Sequence, residues 1–490
     1  MRRERFGELP SSATDVLLIA LDTKSSMSDD HLRVNMSTCL RATLILSENR
    51  SMPSIAFLGA GSVVFTRQLL TDLLRFPDLP VLDIRLHDID PERLEVARLT
   101  ALAVSAQLGR DVEVTASADR RAALAGADFV VNMIQVGGID ATRIDLEVPA
   151  RHGLRQTIGD TTGVGGVFRA LRTFPVLSGI AKDMTDLCPD AWFLNYTNPM
   201  AMNVWWMSVI APEIKTVGLC HSVYWTVNDL CDLIDVPLEG THYRAGGVNH
   251  QAWLVEWSRD GQDLYPLLRE KIAADPELER RVRVEIFRRI GFYPTETSEH
   301  SSEYLDWFLR SDAQIERFRI EPLQYIDISE ENVHEFEDAK RRLAAGEPLE
   351  LHEEGDAAEY APQFIHSVLT GQERTIHVNI PNHGWITNLP EGAIVEVPAT
   401  IGPDGLNPER FGAVPLAGAA LNRTHLSVAE LTIRAALDGD PELVRQAVLI
   451  DPNASSTLTP AQIWAMCDEL TAAHAHLLPV ALGGTLESPR

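Results

Sequence analysis

MPSIAFLGAGSVVFTRQLL, residues 52–70, is the stretch that decides the fold. Residues 55–58 are a short apolar run that stops at a glycine, as a buried strand does, and residues 64–74 carry apolar side chains at helical spacing. Between them Gly59-Ala60-Gly61-Ser62 turns a strand into a helix. The first glycine allows the turn, and the second lets backbone N–H groups approach a pyrophosphate at the helix N-terminus. The third glycine of the usual dinucleotide fingerprint is replaced by Val64. By itself the pair therefore reads equally well as a plain tight turn.

Outward from this turn the chain alternates strand and helix. Residues 82–87 read as the next strand, which ends at Asp88. An acid there suits the ribose hydroxyls of NAD and repels the extra phosphate of NADP. Asp90 is its rival, and either can cap the helix read over 91–108. Further strands are read at 112–115, 129–134, 192–194 and 215–219. The strand at 129–134 runs into Gln135-Val136-Gly137-Gly138, where the backbone can pass close to a nicotinamide, so Gln135 and Gly137 join Gly59, Gly61, Ser62 and Asp88 as cofactor-binding candidates. This alternation predicts a doubly wound, Rossmann-like parallel sheet over residues 52–222. Over 223–490 a mixed α+β, largely helical second domain is expected. Its helices are read at 226–234, 276–289, 427–437, 441–450 and 460–473, around the β-rich text HVNIPNHGWITNLPEGAIVEVPATI. No low-complexity linker divides the two parts, which implies a large shared interface. Residues 1–51 match no connected pattern; they are either an extension of unknown role or lie ahead of a start at Met52.

The bulk composition excludes several classes. A formal net charge of -27 repels phosphate backbones and anionic membranes, so no nucleic-acid or membrane partner is expected. The five cysteines (Cys39, Cys188, Cys220, Cys231, Cys467) are odd in number and form no CxxC pair, which points to a reducing, cytoplasmic setting.

Three short motifs close successive elements: Asn195-Tyr196-Thr197-Asn198-Pro199, Cys220-His221-Ser222-Val223 and Gly247-Val248-Asn249-His250. The Cys220 thiolate and the His250 imidazole can share a divalent ion with substrate oxygens. Taken singly, each is as well explained as a buried core residue.

The series FLGAGSVVFTRQLL, LHDIDPERL, NMIQVGG, QTIGDTTGVGGVFRALRTFP, NYTNP, GLCHSV, GVNHQAWL, PTETSEHSSEYLDWF and VNIPNHGWITNLPEGAIVEVP resembles the family 4 glycoside hydrolases, in order from Met52 onward. That resemblance implies a lactate/malate-dehydrogenase-like fold and a glycosidase that does not use the usual two carboxylic acids. NAD+ would take hydride from C3 of the sugar, a base would remove the acidified C2 proton, and the aglycone would leave before water adds. A divalent metal, Mn2+ above others, would stabilise the enediolate. By matching positions, Cys220 and His250 would be metal ligands and Asn198 would hold sugar hydroxyls. Tyr304 would be the base, with Tyr293 the alternative, and His221 would protonate the leaving group. Asp160, Arg169 and His300 would face the sugar or the cofactor. Cys-His-Ser-Val is similar to the α-galactosidase branch, so an unphosphorylated α-galactoside is expected, with α-galacturonides second and α-glucosides or α-glucuronides open. A homodimer or homotetramer joined through the C-terminal helices is also implied. The rival class is an NAD-dependent 2-hydroxy-acid dehydrogenase, which would share the nucleotide domain but has no use for Cys220 and His250 around a metal.

Overall fold

β1 (Ser54–Leu58) is buried along its whole length, and its successive side chains serve opposite faces. Ile55 and Phe57 pack with Leu69, Leu70 and Leu73 of the Val63–Leu74 helix. Ala56 and Leu58 pack with Val164, Val167, Phe168 and Leu171 of the Gly163–Leu187 helix. Both faces of the strand are covered, which is why it reads as a continuous apolar run rather than an alternation. The computed structural model describes residues 52–352 and 359–487; the expectations for residues 1–51, Cys39 included, lie outside the described residues.

β2 (Leu82–His87), β3 (Val112–Ser117), β4 (Phe129–Asn132), β5 (Trp192–Asn195) and β6 (Lys215–Leu219) join β1 in a parallel sheet of order β3-β2-β1-β4-β5-β6. This is the doubly wound arrangement expected from the sequence. The strand order reverses beside β1, which opens a crevice at the carboxyl ends of β1 and β4.

The sheet does not end at β6. After it come β7 (Thr241–Val248), β8 (Gln251–Arg259), β9 (Gln262–Asp263), β10 (Tyr293–Pro294), β11 (Arg374–Pro381), β12 (Ile394–Gly402) and β13 (Gly405–Pro408). β11 lies antiparallel to β6, with Val378 opposite Leu219 and Asn379 opposite Gly218. The order then continues β11-β12-β7-β8-β10, with β13 on β12 and β9 on β8, to make one 13-stranded sheet. The β-rich text at 377–401 thus extends the nucleotide-domain sheet.

Several expected boundaries shift. β4 stops at Asn132 rather than at residue 134, and the Asn132 Nδ2 donates to Asn195 Oδ1 and Thr197 Oγ1. The helix expected at 276–289 is a 3-10 turn, Leu278–Arg280, followed by the helix Val282–Ile290. The helix expected at 427–437 runs over Leu416–Asp438. The 25-residue Gly163–Leu187 helix was not foreseen. Its first half, residues 163–174, is buried on every side, so no amphipathic stripe marks it there. No helix among the described residues is long and apolar enough to cross a membrane.

Candidate active site

At the carboxyl ends of the parallel strands lies a cavity of about 300 Å³. Its walls are Ser62 after β1, Met133–Gln135 after β4, Tyr196–Asn198 after β5, and Cys220 and His221 after β6. Asp160, Arg169, His250, Glu296, His300 and Tyr325 close it from the other side. The structure therefore brings Ser62, Gln135, Asp160, Arg169, Asn198, Cys220, His221, His250 and His300 together, although they are spread from residue 62 to residue 300 of the chain.

The glycine turn has a different internal logic from the one its motif suggests. Gly59 has φ +83 and sits so close to β4 that a Cβ would lie 2.9 Å from the Met133 carbonyl oxygen. Gly61 is open to a carboxylate instead: its N–H donates to Asp88 Oδ2 at 2.7 Å, and a Cβ there would collide with that oxygen. Asp88 also accepts from the Asp90 N–H, so it braces the loop and does not line the cavity. Asp90 caps the Pro91–Leu108 helix by accepting from the Glu92 and Arg93 N–H groups. The donors left for a pyrophosphate are those of the first turn of the Val63–Leu74 helix, beside Ser62. Gly137 likewise lies off the cavity wall, at φ +85 and packed on Ala141 and Leu477.

His250 is delivered by the two-residue turn between β7 and β8 and has φ 64, a left-handed conformation that histidine tolerates better than most residues. The Thr161 hydroxyl donates to Asp160 Oδ1 at 2.7 Å, so its lone pair receives the His250 Nδ1–H at 2.8 Å. That assigns the tautomer and leaves Nε2 as the electron-pair donor, 3.4 Å from Cys220 Sγ. Burial first, and the neighbouring His300 next among the opposing charges, hold His250 below its usual range, hence neutral. Burial, with Glu296 and Glu396 adding to it, pushes the Cys220 thiol up. One donor atom each of Cys220, His250 and Glu296 lies within 4.8 Å of the others. A neutral imidazole, a carboxylate and a thiol that only a nearby cation would ionise are a donor set suited to a divalent metal.

On the opposite side Asn198 donates through Nδ2 to Asp160 Oδ2 at 2.8 Å, and Arg169 Nε donates to the Asn198 carbonyl at 3.2 Å. His300 stands between two carboxylates, Asp160 at 3.4 Å and Glu296 at 3.3 Å. Burial opposes its charge, but Glu296 and Asp160 outweigh it and raise His300 to about 9. The same contacts, His300 first and then Arg169, hold Asp160 ionised against its own burial. His221 pairs through Nδ1 with Glu359 at 2.7 Å, which lifts it above its usual range despite burial.

Tyr304 stands behind His250 rather than on the cavity wall, with Oη 3.4 Å from Nδ1. Burial, Asp160 and Glu303 hold its phenol far above 10. Tyr293, the alternative, belongs to a separate apolar cluster with Tyr265 and Phe287. Sequence reasoning missed Glu296, whose φ of 73 has no signature in the text, and Tyr325, whose ring lies 5.6 Å from the Arg169 guanidinium. It also missed Glu303, whose carboxylate accepts from the Thr157 and Gly159 N–H groups and fixes the Asp160 loop.

The His300 pair has a pH signature. Below about 6.5 the proton is held in both folded and unfolded chains, and the ion pairs contribute fully. As pH rises through about 9 the folded state loses that proton and the contribution with it. Thermal melts from pH 6 to pH 10 should therefore fall more steeply for the wild type than for His300→Asn; parallel curves would reject a charged His300.

Known proteins resemble this chain over most of its length. A sequence profile described as Family 4 glycosyl hydrolase matches residues 54–236, and one described as its C-terminal domain matches residues 245–454. An alpha-galactosidase of Bacillus subtilis is 40% identical over 433 residues, covering 87% of this chain and 99% of that protein. An alpha-galacturonidase of Thermoanaerobacterium saccharolyticum is 30% identical over 440 residues, covering 84% of this chain and 93% of that protein. A 6-phospho-alpha-glucosidase from gut microorganisms, solved in complex with NAD and Mn2+, shares the fold with a TM-score of 0.74 at 20% identity, covering 88% of this chain and 99% of that one. With both profiles matched in order and a 40% identical relative aligned over nearly its whole length, the chain belongs to the family 4 glycosyl hydrolases.

Proposed function

We propose that this glycoside hydrolase cleaves unphosphorylated α-galactosides with NAD and a divalent metal, Mn2+ above others. The observation that carries the reading is the Cys220 Sγ–His250 Nε2 pair, 3.4 Å apart, on a cavity at the carboxyl ends of a dinucleotide-type sheet. When bound, NAD supplies reversible hydride transfer at a carbinol carbon and the metal supplies Lewis acidity for the charge that follows.

The chain's own groups have these roles. Ser62 and the first turn of the Val63–Leu74 helix face the dinucleotide, with Gln135 on the nicotinamide side. Cys220 and His250 hold the metal. Asn198, oriented by Asp160 and Arg169, presents its amide to sugar hydroxyls. His221, held on Glu359, gives a proton to the leaving oxygen. Tyr304 is assigned as base by resemblance, its hydroxyl reaching the cavity only past the His250 ring.

Charge supports a neutral sugar. Among the described residues, the cavity-wall imidazoles already face carboxylates, His300 between Asp160 and Glu296 and His221 on Glu359, and Arg169 Nε is taken up by the Asn198 carbonyl. A phosphate or carboxylate on the substrate would have to break those pairs. The second reading, an α-galacturonide, draws on Arg169, the one fixed guanidinium on the wall among the described residues. We propose further that the enzyme is cytoplasmic, its described cysteines being free, and works as a homodimer or homotetramer.

Release of p-nitrophenol from the α-galactoside should require NAD+, Mn2+ and a thiol reductant together, with no net NADH. Turnover of the α-galacturonide alone would move the sugar and keep the chemistry. Release that survives omission of both NAD+ and metal would sink the proposal.

A further inference from the structure

We propose that Glu296 is a third protein ligand to the divalent ion, completing a set of one sulfur, one nitrogen and one oxygen with Cys220 and His250. The inference rests on the metal-dependent reading above and adds to it a residue that no motif assigns.

The placement of its donor atoms and the conformation of its backbone point the same way. The donor atoms of Cys220, His250 and Glu296 converge within 4.8 Å, and Glu296 Oε2 stands 3.9 Å from the same His250 Nε2 that faces the sulfur. Glu296 holds φ 73 in the left-handed region, a conformation that is strained for a non-glycine residue and persists only where its surroundings enforce it. Its N–H is held by Thr226 Oγ1 at 3.1 Å, so the strained turn is pinned from outside the site while the side chain is aimed inward. The carboxylate stands between two imidazoles, 3.9 Å from His250 Nε2 and 3.3 Å from His300 Nδ1. It closes the same cavity that Cys220 and His250 line.

The chemistry of the set is balanced. A thiolate and a carboxylate neutralise a dication, and the neutral imidazole adds no charge. Three protein donors would leave the ion open on its cavity side, as catalytic metal sites are. The carboxylate oxygen shifts preference toward harder ions such as Mn2+.

The test is equilibrium Mn2+ binding to the full chain without substrate, read from the EPR signal of free Mn2+. Glu296→Gln keeps shape and removes charge; it should raise the Mn2+ Kd by ~10–100-fold, the loss seen even when a ligand's supporting partner is removed. The EPR line shape of the bound ion should change as well. NAD affinity, followed by tryptophan fluorescence, should stay at the wild-type value. A Gln variant that binds Mn2+ as the wild type does, yet has lost activity, overturns the inference and makes Glu296 a group that acts on the sugar. If Glu296→Gln does not fold, Glu296→Asp reads the same question: weaker Mn2+ binding supports the third ligand, and unchanged binding overturns it. A wild type that binds no Mn2+ would bring down the metal-dependent reading and this inference together, whereas a binding wild type with an unchanged variant removes only the inference.

Discussion

Replacing Cys220 with Ser should lower kcat/KM on the α-galactoside by ~1,000-fold or more while the fold survives. A metal's Lewis acidity supplies several kcal/mol of transition-state stabilisation, and about 4 kcal/mol corresponds to about 1,000-fold in rate. Serine is close to isosteric, but its hydroxyl does not ionise to a ligand as a thiol does. Cys220 sits partly buried at the edge of the large apolar cluster with its Sγ facing His250 Nε2, so a near-isosteric serine gives up little packing. The loss should therefore appear in kcat and in Mn2+ affinity, with the urea midpoint almost unmoved. Activity within tenfold of wild type would show that the sulfur is not a ligand, and the reading built on the Cys220–His250 pair would fall with it.

A second large effect is expected far from the sugar. Arg172 and Asp145 form a two-pronged pair, at 2.6 and 3.0 Å, with side chains 0% and 3% exposed. His474, from the end of the Pro460–Ala473 helix, adds a third contact to Asp145 at 2.8 Å. Arg172 Nε also donates to the Val136 carbonyl, so the pair ties the Gln135–Gly138 segment to the C-terminal helices. Arg172→Met leaves a buried carboxylate short of its main partner, which costs about 3–5 kcal/mol. Exposed pairs of the same length behave otherwise. Arg341 and Asp338 also meet at 2.6 Å, but water screens them, and Arg341→Ala should leave the urea midpoint in place. If both variants shift the midpoint alike, burial is not what distinguishes the two pairs. Because Val136 neighbours Gln135, Arg172→Met should in addition raise the KM for NAD+.

The sequence by itself determined the parallel half of the sheet and half of the cavity wall. Both are local facts. A strand buried on two faces is written as an unbroken apolar run, as at residues 55–58, and a strand-to-helix turn is written in glycine. The residues that end parallel strands gather at one edge of the sheet, which put Gln135 and Cys220 beside the crevice, whereas Asn198 and His221 were named by the family resemblance.

Tertiary structure alone decided the rest. That β11 pairs with β6 depends on residues some 160 positions apart, and no local pattern encodes such a pairing. Gly61 and Asp88 each fit a nucleotide motif, yet their closest partner is each other, because a short hydrogen bond to a fixed carboxylate satisfies the N–H that the motif would leave for phosphate. Tyr304 lies in the expected motif, and only packing places it behind His250 while Glu296 reaches the cavity. A side chain's direction is set by the backbone conformation that its neighbours enforce, and at Glu296 that is a left-handed turn pinned by Thr226, 70 residues away.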